Sequence, residues 1–211
     1  MSITLNLPQP PHHRPLDAPA ASVTPVAAAA AAEAGVWWVY QSADAVGNHG
    51  SWSNIVPERG FDVLRIDPAD RTSPQAAGGT AVRLVFDFGR GPWAGVVVAS
   101  EPGYWGDRPG PGFDLARYRV LAFRARGLAG GESIRVKAAV AGDQPFGDQA
   151  ALPVDAGWIT LGSDWREYRI DTDGRDLSRV VTSFMVVAND KHNPSGRATV
   201  FLADIRWETG R

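Results

Sequence analysis

What most constrains this chain is a series of short runs in which apolar residues recur at every second position. Val82, Leu84, Phe86 and Phe88 alternate with Arg83, Val85 and Asp87. Ile134, Val136, Ala138 and Val140 alternate with Arg135, Lys137 and Ala139. Thr199, Phe201, Ala203, Ile205 and Trp207 share one face, against Asp204, Arg206 and Glu208 on the other. A period of two sends one row of side chains to each face of a pleated strand. Further strands are expected over 36–41, 61–67, 95–100, 120–126, 158–161, 165–171 and 182–188. These ten runs are closed by Gly, Pro, Asn or Asp, and no long amphipathic helix lies among them. They predict an all-β domain, a two-sheet antiparallel β-sandwich. Segments 113–118 and 176–180, each with an Asp near its start, are expected to be single helical turns. No internal repeat is visible.

The alternation starts at Val36. Before it lie Pro8, Pro10, Pro11, Pro15, Pro19 and Pro25, then six alanines from Ala27 to Ala32. With almost no large apolar residue to bury, residues 1–34 read as a disordered tail or linker, and 35–211 as the folded domain. His12 and His13 have no third ligand at a useful spacing and read as tail residues.

Composition removes several function classes. Lys and Arg number 21 against 23 Asp and Glu, so the chain lacks the concentrated basic surface that nucleic acid requires. There is no cysteine, which excludes disulfides, thiolate nucleophiles, zinc–thiolate sites and iron–sulfur clusters. No apolar run reaches the roughly 18 residues of a membrane span. Residues 1–11 show neither the basic start nor the leucine-rich stretch of a secretory signal.

The long segments between strands are the natural carriers of function. Residues 41–57 hold Asn48, His49, Trp52 and Asn54. Residues 101–112 hold Tyr104, Trp105, Asp107 and Arg108 among Gly103, Gly106, Pro109 and Pro111. Residues 141–149 hold Asp143, Gln144 and Asp148, and 188–196 hold Asn189, Asp190, Lys191 and His192.

Several stretches in order carry a resemblance: Trp93-Ala94-Gly95-Val96, Tyr104-Trp105-Gly106-Asp107, Gly112-Phe113-Asp114-Leu115 and Leu121-Ala122-Phe123-Arg124-Ala125-Arg126-Gly127. They continue with Asp164-Trp165-Arg166-Glu167-Tyr168-Arg169-Ile170-Asp171, Asp176-Leu177-Ser178, Asn193-Pro194-Ser195-Gly196 and Val200-Phe201-Leu202-Ala203-Asp204-Ile205. The set, spanning about Val36 to Glu208, resembles bacterial carbohydrate-binding modules of the galactose-binding-like β-sandwich (jelly-roll) class. The resemblance implies a polysaccharide or glycan as partner, an extracellular or cell-envelope location, and a tethered catalytic domain. It also implies a structural calcium held by Asp204 in the last strand, with Asp67 or Asp44 as a further ligand.

Sugars offer apolar C–H faces and a rim of hydroxyls, so a site for them needs exposed aromatics beside polar groups. Tyr104 and Trp105, set among chain breakers, are the first candidates, followed by Trp52 and Trp93. Asp107, Asp143, Asn189, Asp190 and His192 are candidate hydrogen-bonding partners. Ordinary turn chemistry is the competing account of the Asn and Asp residues. Trp165 and Trp207 are read as core residues. Trp37 and Trp38 should point to opposite faces, and Trp158 carries no useful context. Two alternatives stand beside glycan binding. One is a carbohydrate-active enzyme using loop carboxylates, His49 or His192, although no Ser/His/Asp order, phosphate loop or metal cluster appears. The other is a structural or protein-interaction domain whose exposed aromatics meet a partner chain.

Overall fold

Where one face of a run is apolar, the chain forms a strand. The computed structural model describes residues 13–15, 35–56, 61–73 and 79–210. Its strands are β1 (His13–Pro15), β2 (Val36–Tyr40), β3 (Ser51–Ile55), β4 (Leu64–Asp70), β5 (Ala81–Asp87) and β6 (Trp93–Ala99). They continue as β7 (Val120–Gly127), β8 (Ser133–Ala138), β9 (Val154–Thr160), β10 (Arg166–Asp171), β11 (Thr182–Asn189) and β12 (Arg197–Glu208). The first sheet runs β1-β3-β6-β11-β8-β9. The second runs β10-β7-β12-β5-β4, with β2 also paired to β12. Every pairing is antiparallel, so the expected sandwich is the observed one.

The core lies between the sheets. Val82, Leu84 and Phe86 of β5 and Leu121, Phe123 and Ala125 of β7 meet Val96, Val98, Phe184, Val186, Ile134 and Val136 of the first sheet. Trp207 is fully buried there, and its indole N–H donates to Ser183 O at 3.1 Å, so this large side chain leaves no polar atom unpaired.

The simple alternation fails at two places, and both have a backbone cause. Asp204 (φ 52°) and Ala139 (φ 52°) are the non-glycine residues with positive φ among those described. At Asp204 the register of β12 shifts, and this β-bulge exchanges the faces. Val200, Leu202, Ile205 and Trp207 face the core, whereas Phe201 and Ala203 turn outward to a small cluster with Ala81. At the end of β8, Ala139 stays in the core while Val140 moves to the outer side. Thr182 fixes that turn, accepting from Ala139 N through its carbonyl (2.7 Å) and from Val140 N through Oγ1 (2.8 Å).

Three expectations need correction. Strand β3 lies inside what reads as a loop, because Ser51, Ser53 and Asn54 break the apolar pattern. Segments 113–118 and 176–180 are not helical. The carboxylates of Asp114 and Asp176 accept from the amides of Ala116 and Ser178 (both 3.0 Å) and close Asx turns, while Phe113 and Val180 bridge the two segments. Trp165 packs with Phe201, Ala203 and Ala81 on the outside of the second sheet, with the Arg124 guanidinium 5.5 Å from its ring. His13–Pro15 pairs with β3, within the stretch read as a tail. The rest of that reading lies outside the described residues. Among the described residues no helix is long and apolar enough to cross a membrane.

Candidate functional site

The outer face of the first sheet departs from the usual pattern of polar residues on a solvent-facing side. Strand registers align Ser53, Val97, Met185, Lys137 and Asp155 in one row across β3, β6, β11, β8 and β9. The next row aligns Ile55, Gly95, Val187, Arg135 and Trp158. Ile55, Val97 and Met185 are buried although they point away from the core, because Trp93, Trp105, Val140 and Val187 pack against them. The two tryptophans stand at opposite ends of β6. Trp93 opens the strand opposite Asn189. Trp105 lies past its far end, where it also touches Tyr104, Ala141 and Val181. A strand of this length spans about 20 Å.

Toward β9 the face becomes aromatic and charged. His192 stacks on Trp158 with ring centroids 3.7 Å apart and planes 14° from parallel. Asn189 Oδ1 orients that imidazole, accepting from His192 N at 3.0 Å and lying 2.8 Å from Nδ1. Arg135 donates to both oxygens of Asp155, Nε to Oδ1 at 2.9 Å and Nη2 to Oδ2 at 2.6 Å, and Lys137 Nζ lies 3.4 Å from the same carboxylate. The Arg135 guanidinium holds the Asp155 carboxyl down at about 2.

A depressed carboxylate adds stability above its unfolded pKa and loses it as pH falls through the folded value. The pair is solvent-accessible, so screening limits its contribution to about 1 kcal/mol or less. Asp155→Asn is therefore expected to cost no more than about 1 kcal/mol at neutral pH and to flatten the stability profile between roughly pH 4 and pH 2. Urea melts across that window check this; a profile identical to wild type would show that the ion pair contributes nothing.

The structure brings together Trp93, Trp105, Asn189 and His192 from the sequence candidates and adds Trp158, whose role depends on a β8–β9 pairing that no local pattern reveals. Asp190 is exposed at the margin of this group, and its N–H donates to Pro92 O at 3.0 Å. Asp107 and Asp143 are exposed in the loops at the Trp105 end, Asp107 lying 3.5 Å from Arg108.

Three candidates are not the exposed groups expected. Tyr104 is 1% exposed. Its hydroxyl donates to Phe146 O and accepts from Arg179 Nη2, both at 3.0 Å, so it braces the loops and offers no platform. Trp52 is carried by β3 toward the core, edge-on to Tyr40 at 6.1 Å. Asp148 is buried and accepts from Ala141 N, Val181 N, Thr182 N and Thr182 Oγ1, a full set of partners that leaves it no ligand-binding role.

No family model matches the sequence, and no curated protein does. Solved structures do match. A family 11 carbohydrate-binding module from Clostridium thermocellum, in complex with a β-1,3-1,4-mixed-linked tetrasaccharide, aligns at TM-score 0.54 and 15% identity over 82% of this chain and 95% of that one. A family 30 carbohydrate-binding module aligns at TM-score 0.50 and 18% identity over 83% of this chain and 88% of that one. The fold is that of carbohydrate-binding modules.

Each side chain that the resemblance assigns to calcium has a protein partner in this structure. Asp204 Oδ2 lies 3.5 Å from Arg124 Nη1, and Arg206 donates to Asp204 O at 3.0 Å. Burial raises the Asp204 carboxyl, with Arg124 and Arg206 opposing. Asp67 is engaged elsewhere, accepting from Ala69 N at 3.0 Å, and Asp44 pairs with Arg71 at 3.0 Å. Among the described residues no three His, Cys, Asp or Glu side chains cluster. Arg124 and Arg206 hold Asp204 at the β12 bulge.

Proposed function

We propose that this domain is a non-catalytic module that binds a polysaccharide along the outer face of its first sheet. One observation carries the reading: Trp93 and Trp105, both half-buried, stand on the outer face of the first sheet, packed on a buried apolar strip of Ile55, Val97 and Met185 that holds them in place. Their indole rings suit the C–H faces of sugar units, and Asn189, Arg135 and Lys137 on the same face suit the hydroxyls. The family 11 and family 30 modules that share the fold support this choice of ligand class, and the mixed-linked tetrasaccharide of the former makes β-glucans the first polymers to try. Asp155, kept ionised by Arg135, is unsuited to donating a proton to a glycosidic oxygen, which favours binding over hydrolysis. A polysaccharide ligand accords with an extracellular or envelope location and with residues 1–34 serving as a tether to a catalytic domain, which would raise its local concentration on the polymer.

Affinity electrophoresis against a panel of soluble polysaccharides tests the reading. The wild type is expected to be retarded by at least one polymer. Trp105→Ala and Trp93→Ala should each weaken that retardation about 30-fold, the cost of losing one central aromatic anchor. Retardation unchanged in both variants would move the site off this face. No retardation by any polymer would favour a protein partner instead.

A further inference from the structure

Beyond Trp105 the loop of residues 141–149 presents Phe146, which is 42% exposed; the other exposed large apolar side chains among the described residues, Val46, Leu128 and Leu152, are aliphatic. This exposure does not come from a slack loop. Phe146 N donates to Gly106 O at 2.9 Å, and Phe146 O accepts from Tyr104 Oη at 3.0 Å and Arg179 Nη1 at 2.5 Å. Arg179 also donates to Gly147 O and, at 2.9 Å, to Gly110 O. One guanidinium thus ties two loops together, and Tyr104 supports the same carbonyl from below. Gly106, whose amide partner is Phe146, directly follows Trp105 in the chain.

A pocket of about 430 Å³ opens beside the ring, lined among others by Pro109, Gly110, Gln144 and Gly147. That volume lies in the usual range for small-ligand sites. The Gln144 carboxamide makes no hydrogen bond to the described residues, leaving a donor and an acceptor at the pocket wall. An apolar ring carried into water by a hydrogen-bonded backbone, next to an unengaged carboxamide, matches the two surfaces of a pyranose. We infer that Phe146 and Gln144 form a further sugar subsite, continuous with Trp105, that takes one more unit of the polysaccharide. The inference rests on the reading of the sheet face given above. The C–H side of the sugar stacks on Phe146 while its hydroxyls exchange hydrogen bonds with Gln144. Affinity then rises by a step at the oligosaccharide length that first reaches beyond Trp105.

Isothermal titration with a β-1,3-1,4-mixed-linked oligosaccharide ladder, from the disaccharide upward, tests this on the full chain. The wild type should show the step, and Phe146→Ala should lose it, about five- to tenfold, with shorter oligomers bound as before. Gln144→Ala should lose part of the same step. Both variants should melt with the wild type, because neither side chain is part of the core. Trp105→Ala should lose affinity at every length. If Phe146→Ala matches the wild type at every length while Trp105→Ala does not, the subsite is overturned and the sheet-face reading stands. If the wild type binds no member of the ladder, the subsite fails together with this choice of glycan for the face.

Discussion

Asp148→Ala is expected to destabilise the domain by about 3–5 kcal/mol, because it leaves several buried neutral donors without their acceptor. The side chain is 5% exposed and takes four donors: the amides of Ala141 (2.5 Å), Val181 and Thr182 (3.0 Å), and the Thr182 hydroxyl (2.7 Å). Each of those groups loses its acceptor in the variant, and a buried orphan donor costs about 1–3 kcal/mol unless water enters. Thr182 also holds the left-handed turn at Ala139, so the effect should spread to the end of β8. For a domain of this size the loss corresponds to roughly 10 °C in melting temperature by calorimetry. Asp148→Asn, which keeps one acceptor oxygen, should lose less. A shift under about 2 °C for the alanine variant would mean that water replaces the carboxylate at little cost.

Gly147→Ala should also carry a large penalty, for a steric reason. A Cβ at Gly147 would overlap the carbonyl oxygen of Ala141, and one at Gly106 would overlap the Gly147 backbone. The obstacle in each case is main chain, so no rotamer change relieves it. The loop must move or the β8 end must strain, at about 2–3 kcal/mol, the upper part of the range for overpacking. Thermal melts should show the loss, and loop displacement should also remove the affinity step ascribed to Phe146. A Gly147→Ala protein with wild-type melting and wild-type titrations would show that the two loops do not pack as closely as described.

The sequence reveals the sandwich because burial of a single sheet face imposes a period of two, visible in Val82–Leu84–Phe86 and in Ile134–Val136–Ala138. It hides what depends on a single unusual dihedral. The bulge at Asp204 places Phe201 and Ala203 outside and Ile205 and Trp207 inside, though all four sit at the same spacing. At the site, Trp93 and Trp105 were visible as large aromatics beside breakers, and Asn189 and His192 as polar loop residues. The breakers around Tyr104 misled: Gly110 lies directly against its ring, so the glycines that suggest an open loop are what allow the chain to fold over the tyrosine. Trp158 is not legible from sequence, because the His192 that stacks on it is distant along the chain. Phe146 carries no special pattern, and its significance follows from the hydrogen bonds that fix its backbone.

The short pairing of His13–Pro15 with Ser53–Ile55 bears on how copies of this protein behave toward one another in concentrated solution. Without it, β3 would border the first sheet and offer free amides and carbonyls to any extended chain. Three residues ending in Pro15 cover that border with a strand too short to recruit another. The remaining borders have their own deterrents: Pro68 and a register break in β4, alternating charge at Arg166, Glu167 and Arg169 in β10, and Asp155 with Gly157 in β9. Two sheets with open edges are thereby kept from growing into those of neighbouring copies, so the half-buried tryptophans of the outer face can stay uncovered without inviting edge-to-edge aggregation.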